Sequence, residues 1–207
     1  MLRPHISQSA LAGLAIFAIV SLLVSTGVTQ DIDVRFLELV GTWRTPAGTT
    51  AMQAASAIGN WEWELPLALG ITAVLRLRGR GVSAWRFVAV CVSAEALYAI
   101  VKLLFHRPRP TVITHLGQAG WYSYPSGHSM LAPVIWGLGL VLLAQSVKSR
   151  SIKAALWLLA IIATCAIAVS RVYLGVHYLS DVLGGLALGM TWVVLWRDWV
   201  TAPWSLT

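Results

Sequence analysis

Apolar residues run along this chain in six long blocks, and short stretches between the blocks hold most of the charged side chains. An α-helix needs roughly 20 predominantly apolar residues to cross the hydrocarbon core of a bilayer. The second block is the shortest, and its ends are the least sharply marked. The pattern predicts six transmembrane helices, at about 10–28, 65–77, 84–105, 130–147, 152–169 and 178–200.

The composition changes this picture little. With 57% hydrophobic and only 11% charged residues in 207, the chain is unlike a soluble globular domain. Six spans use most of its length, so we expect a single all-α integral membrane domain over residues 1–207. The first block lacks a small-x-small cleavage site after it, which indicates an uncleaved signal anchor.

The longest stretch outside the predicted spans is 31–60. Its apolar residues are spaced as in two short amphipathic helices, with a break at Thr45-Pro46-Ala47-Gly48. We expect these helices to lie on the outer membrane surface. They form either an ordered cap over the bundle or the border of an entry path for lipid.

The net charge of +7 could indicate a nucleic-acid partner, but its distribution indicates a membrane. The N-terminal segment and every second connection after it would lie on one side of the membrane. Together they contain nine basic residues and one acid, Asp198; the basic residues are Arg3, Arg76, Arg78, Arg80, Arg86, Lys148, Arg150, Lys153 and Arg197. The other connections hold six basic and six acidic residues. The positive-inside rule then predicts a multi-pass protein of the inner or plasma membrane with both termini in the cytoplasm.

Three polar clusters stand at ends of the apolar blocks, all on the side opposite the basic loops. They are Lys102 with Arg109-Pro110, then Pro125-Ser126-Gly127-His128, then Ser170-Arg171 followed by His177 and Asp181. Cations and the free N–H groups of helix N-termini bind phosphate, and a guanidinium can meet two phosphate oxygens at once.

A phosphate-binding set follows from these clusters. Three members are cations, and two offer a hydroxyl or a close backbone approach at the start of a helix; the set is Lys102, Arg109, Arg171, Ser126 and Gly127. Ser126 is also a favourable helix cap, and the two roles are compatible.

The candidate catalytic residues are His177, Asp181 and His128. Asp181 follows His177 by one helical turn, so its carboxylate can orient the imidazole as a nucleophile or base. His128 is a candidate donor of a proton to the leaving group. Metal binding is disfavoured because no third ligand is evident and Arg171 is near. We therefore expect a lipid phosphate substrate with neither a metal nor another cofactor.

Several polar residues fall outside this scheme. Glu95 lies in the third span on the same face as Lys102, either with a function or as a neutral buried carboxyl. We expect Arg107 to make a surface or headgroup contact, with a part in catalysis as the alternative. The remaining histidines are expected to be bystanders; they are His5, His106 and His115.

The spacings Lys-x6-Arg-Pro, Pro-Ser-Gly-His and Ser-Arg-x5-His-x3-Asp resemble the signature of the type 2 phosphatidic acid phosphatase superfamily. All eleven specified positions match. The bacterial membrane branch, with its phosphatidylglycerophosphatases and undecaprenyl-diphosphate phosphatases, is the most similar. The resemblance implies a lipid phosphatase whose His177 becomes a phosphohistidine and whose active site faces the periplasm or outer surface.

The sequence leaves the substrate and some alternatives open. Phosphatidate and lipid A are possible substrates, and phosphatidylglycerophosphate and undecaprenyl diphosphate are favoured equally. A phosphotransferase would use the same phosphohistidine with a different acceptor. A non-catalytic lipid transporter or binding protein would have no need of His128, His177 and Asp181. An oxidation like that of the vanadium haloperoxidases is a poor match, because those relatives are soluble.

Overall fold

The computed structural model describes residues 7–202, which contain eight α-helices and no β-strand. Arg3 and His5 therefore lie outside the described residues. The all-helical prediction is confirmed. The helices are α1 (Gln8–Ser25), α2 (Gln30–Thr42), α3 (Pro46–Ala57), α4 (Trp61–Leu77), α5 (Gly81–Phe105), α6 (Gly127–Gln145), α7 (Arg150–Tyr173) and α8 (Leu179–Thr201).

Five of these helices are long and apolar enough to cross a membrane, namely α1 and α5 to α8. The predicted count of six is not confirmed. The second block forms α4, which has 17 residues. At 1.5 Å per residue such a helix is about 25 Å long, somewhat less than a hydrocarbon core.

The stretch 31–60 forms the two short helices that its pattern predicts, α2 and α3. Pro46 occupies the first turn of α3, where its missing N–H costs nothing, and Thr45 accepts a hydrogen bond from the amide of Gly48 at 3.0 Å. α2 buries Leu37 and Val40 against α7 and α8. The two helices thus cover the ends of α7 and α8 that carry the third polar cluster.

α6 has an irregular middle. It is α-helical over Gly127–Ala132 and Gly139–Gln145, but Pro133–Leu138 is wound as a π-helix. Proline has no N–H to donate, and its ring collides with the carbonyl four residues earlier. A π-helical segment widens the helix at Pro133 and accommodates the ring.

The largest apolar cluster lies between α4, α5, α6 and α8, with Phe87, Leu75 and Leu138 among its fully buried members. α8 approaches α6 closely because glycines form its contact face. A Cβ atom at Gly189 would overlap the carbonyl oxygen of Met130, and one at Gly185 would lie 2.5 Å from the carbonyl oxygen of Ser126. Small residues are the usual means by which membrane helices pack at short distance.

We therefore expect Gly189→Ala to destabilise the protein by about 1–3 kcal/mol, because the added methyl group forces α8 away from α6. Thermal unfolding in detergent measures the effect. Gly70→Ala is the matched control, since a Cβ atom there meets no neighbour within 4 Å. Equal midpoints for the two variants would contradict the close α6–α8 contact.

Candidate active site

The structure brings the three polar clusters together around one cavity of about 390 Å³. The cavity lies among the last turn of α5, the first turn of α6, the ends of α7 and α8, and the connection 106–126. Six of the eight predicted site residues line it: Lys102, Arg109, Gly127, His128, Arg171 and His177. Asp181 and Ser126 lie behind its wall.

Lys102 stands in the last turn of α5 and is only 1% exposed. Its Nζ donates a hydrogen bond of 2.7 Å to the carbonyl of Tyr122 and lies 5.0 Å from the ring centre of Tyr98. A buried ammonium group at this position adds positive charge to the cavity wall.

Arg109 is held by backbone carbonyl groups. Its Nη1 donates to the carbonyl of Val176 at 2.7 Å, and its Nε and Nη2 donate to the carbonyl of Gly120 at 3.2 and 2.5 Å. Pro108 and Pro110 flank it, and prolines keep the chain extended here after the end of α5. Nη1 also lies 3.2 Å from Nε2 of His177.

Arg171, near the C-terminus of α7, donates from Nη1 to the hydroxyl of Ser56 on α3 and from Nη2 to the carbonyl of Gln118 at 3.0 Å. Its Nε is buried and has no hydrogen-bond partner within residues 7–202.

No carboxylate lines this cavity, and no salt bridge within the described residues involves Lys102, Arg109 or Arg171. Like charges in a cleft with low-dielectric walls focus a positive potential. An anion with several oxygens, such as phosphate, complements this cavity.

His177 lies in the turn between α7 and α8 and is 2% exposed. Its Nδ1 is 3.4 Å from Oδ2 of Asp181, while its Nε2 faces Arg109. Since a guanidinium can only donate, Nε2 carries the lone pair and Nδ1 the proton. Burial lowers the pKa of His177 to about 3; Asp181 opposes the shift, and Arg109 and Arg171 add to it. The imidazole is therefore neutral at ordinary pH, with its basic nitrogen toward the cavity.

Asp181 is fully buried in the first turn of α8. Its Oδ2 accepts hydrogen bonds from the hydroxyl of Ser123 and, at 2.9 Å, from the amide of Tyr178, while its Oδ1 accepts from Nη1 of Arg107 at 2.6 Å. These donors fix the carboxylate, and the carboxylate in turn positions His177.

The expectation of a surface or headgroup contact for Arg107 is wrong. The residue is 9% exposed and bridges two carboxylates, Asp181 at 2.6 Å and Asp33 of α2 at 2.8 Å. Burial by itself would lower the pKa of Arg107, but the two carboxylates raise it above its usual value. Asp33 also accepts from the amide of Ser180 at 3.0 Å. Arg107 therefore links the short helix α2 to the start of α8.

His128 lies on the first turn of α6, and its Nε2 is 2.8 Å from Oδ1 of Asn60, which precedes α4. Gly127 beside it makes room for a neighbour, since a Cβ atom there would lie 2.7 Å from the ring of Tyr98. The amides of Gly127 and His128 stand at the N-terminus of α6, where the first N–H groups have no partner within the helix.

Ser126 caps α6, as its alternative role predicts. Its hydroxyl is fully buried and receives a hydrogen bond of 3.0 Å from the hydroxyl of Ser129, away from the cavity lining. A phosphate contact through this hydroxyl stays a prediction. His106 and His115 also lie outside this lining. His106 meets the ring of Tyr122 edge to face, and Nε2 of His115 is 2.6 Å from the carbonyl oxygen of Pro110.

Arg107, Ser123, Asn60 and Asp33 were not among the predicted site residues. Arg107 and Ser123 fall within or beside the signature clusters, which is the one signal that could have indicated them. Asn60 and Asp33 contact the site from far earlier in the chain.

Two curated proteins are similar to this chain in sequence. Phosphatidylglycerophosphatase B of Bacillus subtilis is 27% identical over 175 residues, which cover 84% of this chain and 86% of that protein. An undecaprenyl-diphosphatase of Sulfolobus acidocaldarius is 34% identical over 107 residues, covering 51% of this chain and 47% of that protein.

Solved structures show the same fold. The transmembrane PAP2-type phosphatidylglycerolphosphate phosphatase from Bacillus subtilis superposes with a TM-score of 0.87 and 25% identity, over 93% of this chain and 96% of that one. LpxE of Aquifex aeolicus, at 23% identity and a TM-score of 0.57, matches over 78% of this chain and 92% of its own and shows a similarity of fold. Several apolar helices and these relatives make this a multi-pass membrane protein. Because the model of the PAP2 superfamily matches residues 83–205, more than half of the sequence, the chain belongs to that superfamily.

Proposed function

We propose that this protein is a membrane phosphatase that hydrolyses the phosphate monoester or diphosphate of a lipid through a phosphohistidine. The observation that carries the proposal is the cavity itself. Three cations without carboxylate partners in the described residues surround it, together with two histidines. The named relatives act on phosphatidylglycerophosphate and undecaprenyl diphosphate, so these two and phosphatidate are the substrates that we consider.

In the first step, the oxygens of the scissile phosphate bind Lys102, Arg109 and Arg171. Nε2 of His177 attacks phosphorus along the line of the leaving oxygen. The bond from phosphorus to that oxygen breaks as the bond to nitrogen forms, and His128 gives the leaving oxygen its proton. The cations stabilise the charge that spreads over the phosphoryl oxygens.

In the second step, water attacks the phosphohistidine and loses a proton to His128. Inorganic phosphate leaves, and both histidines return to their starting states. Asp181 accepts the hydrogen bond from Nδ1 of His177 throughout, so that the ring keeps its orientation and its positive charge while phosphorylated is compensated.

We further propose that the reaction needs no metal ion, because the positive groups around the cavity are side chains. Within residues 7–202, no three His, Cys, Asp or Glu side chains are grouped as ligands of a metal would be.

We also propose six crossings, with α4 as the sixth, and an active site on the outer side. Asn60, just before α4, contacts His128 at the active-site end, whereas Arg78, at the other end of α4, donates to the carbonyl of Ser146 beyond α6. α4 therefore extends from the active-site end of the bundle to the opposite end, as α6 does. Arg80 and Arg86 also bond at this far end, to Leu142 and Trp199. Basic residues gather there, which supports a cytoplasmic location.

His177→Ala should abolish phosphate release from a panel of the three lipids. Asp181→Asn should retain a small residual rate, about 10²- to 10⁴-fold below the wild type, because the nucleophile is still present. Quenching with ³²P-labelled lipid should trap an acid-labile label on His177. His106→Asn is the control, because Asn tolerates the left-handed backbone of His106 (φ 47°) and the residue lies off the cavity. Label on any other residue would refute the phosphohistidine.

Turnover should be unchanged by an excess of EDTA, since the proposed charge stabilisation comes from Lys102, Arg109 and Arg171. The measurement is phosphate release before and after chelation and dialysis. Activity that falls on chelation and returns with magnesium or zinc would show that the mechanism needs a metal.

In intact cells, a membrane-impermeant maleimide should label Thr111→Cys but not Ser151→Cys, in a background where Cys91 and Cys165 are alanine. Both positions are exposed, and they lie at opposite ends of the bundle. Labelling of both after the membrane is permeabilised controls for reactivity. The reverse pattern in intact cells would place the active site in the cytoplasm.

A further inference from the structure

A second cavity, of about 450 Å³, lies beside the active-site cavity between α4, α5 and α6. The two cavities share wall residues, among them Asn60, Tyr98 and His128. The second cavity has a mainly apolar lining that includes Leu65, Val92 and Leu131. Leu65 and Val92 are exposed on the sides of α4 and α5, where hydrocarbon would surround the protein.

Three acidic residues lie in this mainly apolar wall, Glu62 and Glu64 of α4 and Glu95 of α5. Glu62 is exposed at the start of α4. Glu64 is only 4% exposed, and its Oε1 is buried without a hydrogen-bond partner in residues 7–202. A buried polar atom without a partner costs about 1–3 kcal/mol. Buried polar atoms without a hydrogen-bond partner are rare in native proteins. A ligand that supplies the missing hydrogen bond would explain the one at Glu64.

The position of His128 between the two cavities indicates which part of the substrate occupies the second one. In the proposed reaction it protonates the leaving oxygen, so that oxygen must lie next to its ring. The cations hold the phosphate in the first cavity, on one side of His128. The rest of the leaving group then extends to the other side, into the second cavity with Glu64 and Glu95.

We infer that this second cavity is a leaving-group subsite in which Glu64 and Glu95 bind hydroxyl groups, so that the preferred substrate is a lipid phosphate whose leaving alcohol is a polyol. The inference rests on the proposed function. A carboxyl group, ionised or neutral, accepts hydrogen bonds from a hydroxyl, and the apolar wall accommodates the attached chain.

The three candidate substrates differ in the hydroxyl groups that the leaving group offers. In phosphatidylglycerophosphate the scissile phosphate is attached to a glycerol that carries a free hydroxyl on the next carbon. The diacylglycerol released from phosphatidate has its other two oxygens esterified and so offers no neighbouring donor. The group released from undecaprenyl diphosphate is itself a phosphate, which has little to donate and brings negative charge toward the three acidic residues of this wall. A site built to bond a hydroxyl discriminates strongly against analogues without one, because its own buried groups are left unpaired.

The experiment compares kcat/KM for phosphatidylglycerophosphate and for phosphatidate with identical acyl chains in the same detergent, with undecaprenyl diphosphate as a third substrate. The wild type should prefer phosphatidylglycerophosphate. Glu64→Leu should lower kcat/KM for that lipid at least tenfold and change the value for phosphatidate less than twofold. Glu64→Gln, whose amide still accepts a hydrogen bond, should recover most of the loss.

Glu95→Leu provides a second variant at an exposed position, should Glu64→Leu not fold, and it should lower the same preference. Glu38→Leu is the matched control, since Glu38 is an exposed acid of α2 outside this cavity. Equal losses on both glycerolipids, or none on either, would overturn the subsite alone. A wild type that prefers undecaprenyl diphosphate would also overturn it. A wild type inactive on all three lipids would overturn the proposed function, and the subsite with it.

Discussion

The carboxylate of Asp181 is the group on which the rest of the candidate site depends. It is fully buried at the N-terminus of α8, where the helix dipole favours a negative charge. Its hydrogen bonds fix the connection between α5 and α6 through Ser123 and Arg107, and its Oδ2 lies 3.4 Å from Nδ1 of His177. Removing one partner of a buried ion pair costs about 3–5 kcal/mol, so the same atoms maintain the fold and align the imidazole.

The attraction of the cavity for an anion and the neutral state of His177 have one electrostatic origin. Arg109 and Arg171 make the cavity attractive to phosphate, and the same charges help burial to keep His177 neutral. A neutral imidazole has a lone pair to offer. Arg109 occupies that lone pair in the structure, at 3.2 Å, and phosphate oxygens are the natural competitors for its guanidinium. In the proposed mechanism, arrival of substrate therefore frees Nε2 of His177 for its attack on phosphorus.

Much of the fold could be read from the sequence, because lipid imposes a simple rule on apolar length. The hydropathy pattern indicated α1 and α5 to α8 to within a few residues, and the spacing in 31–60 indicated α2 and α3. The signature clusters indicated the residues that meet at the cavity. The pattern could not indicate Asn60 or Asp33, since each finds its partner through tertiary packing, nor the burial of Arg107, which looks like any arginine in a loop. The start of α4, four residues before the predicted position, reflects the same limit, because helix ends depend on neighbours.

The links from Asp33 have a consequence for how the protein is made. Asp33 bonds Arg107, 74 residues later, and Ser180, 147 residues later. At about 5–20 residues per second, a ribosome needs roughly 7 to 30 s to travel from the first of these positions to the last. Throughout that interval Asp33 lacks at least one of the two partners with which it is buried. α2 can take its final position only after the start of α8 has been synthesised. A chain interrupted before Ser180 would therefore lack the contact that holds α2 over this end of the bundle.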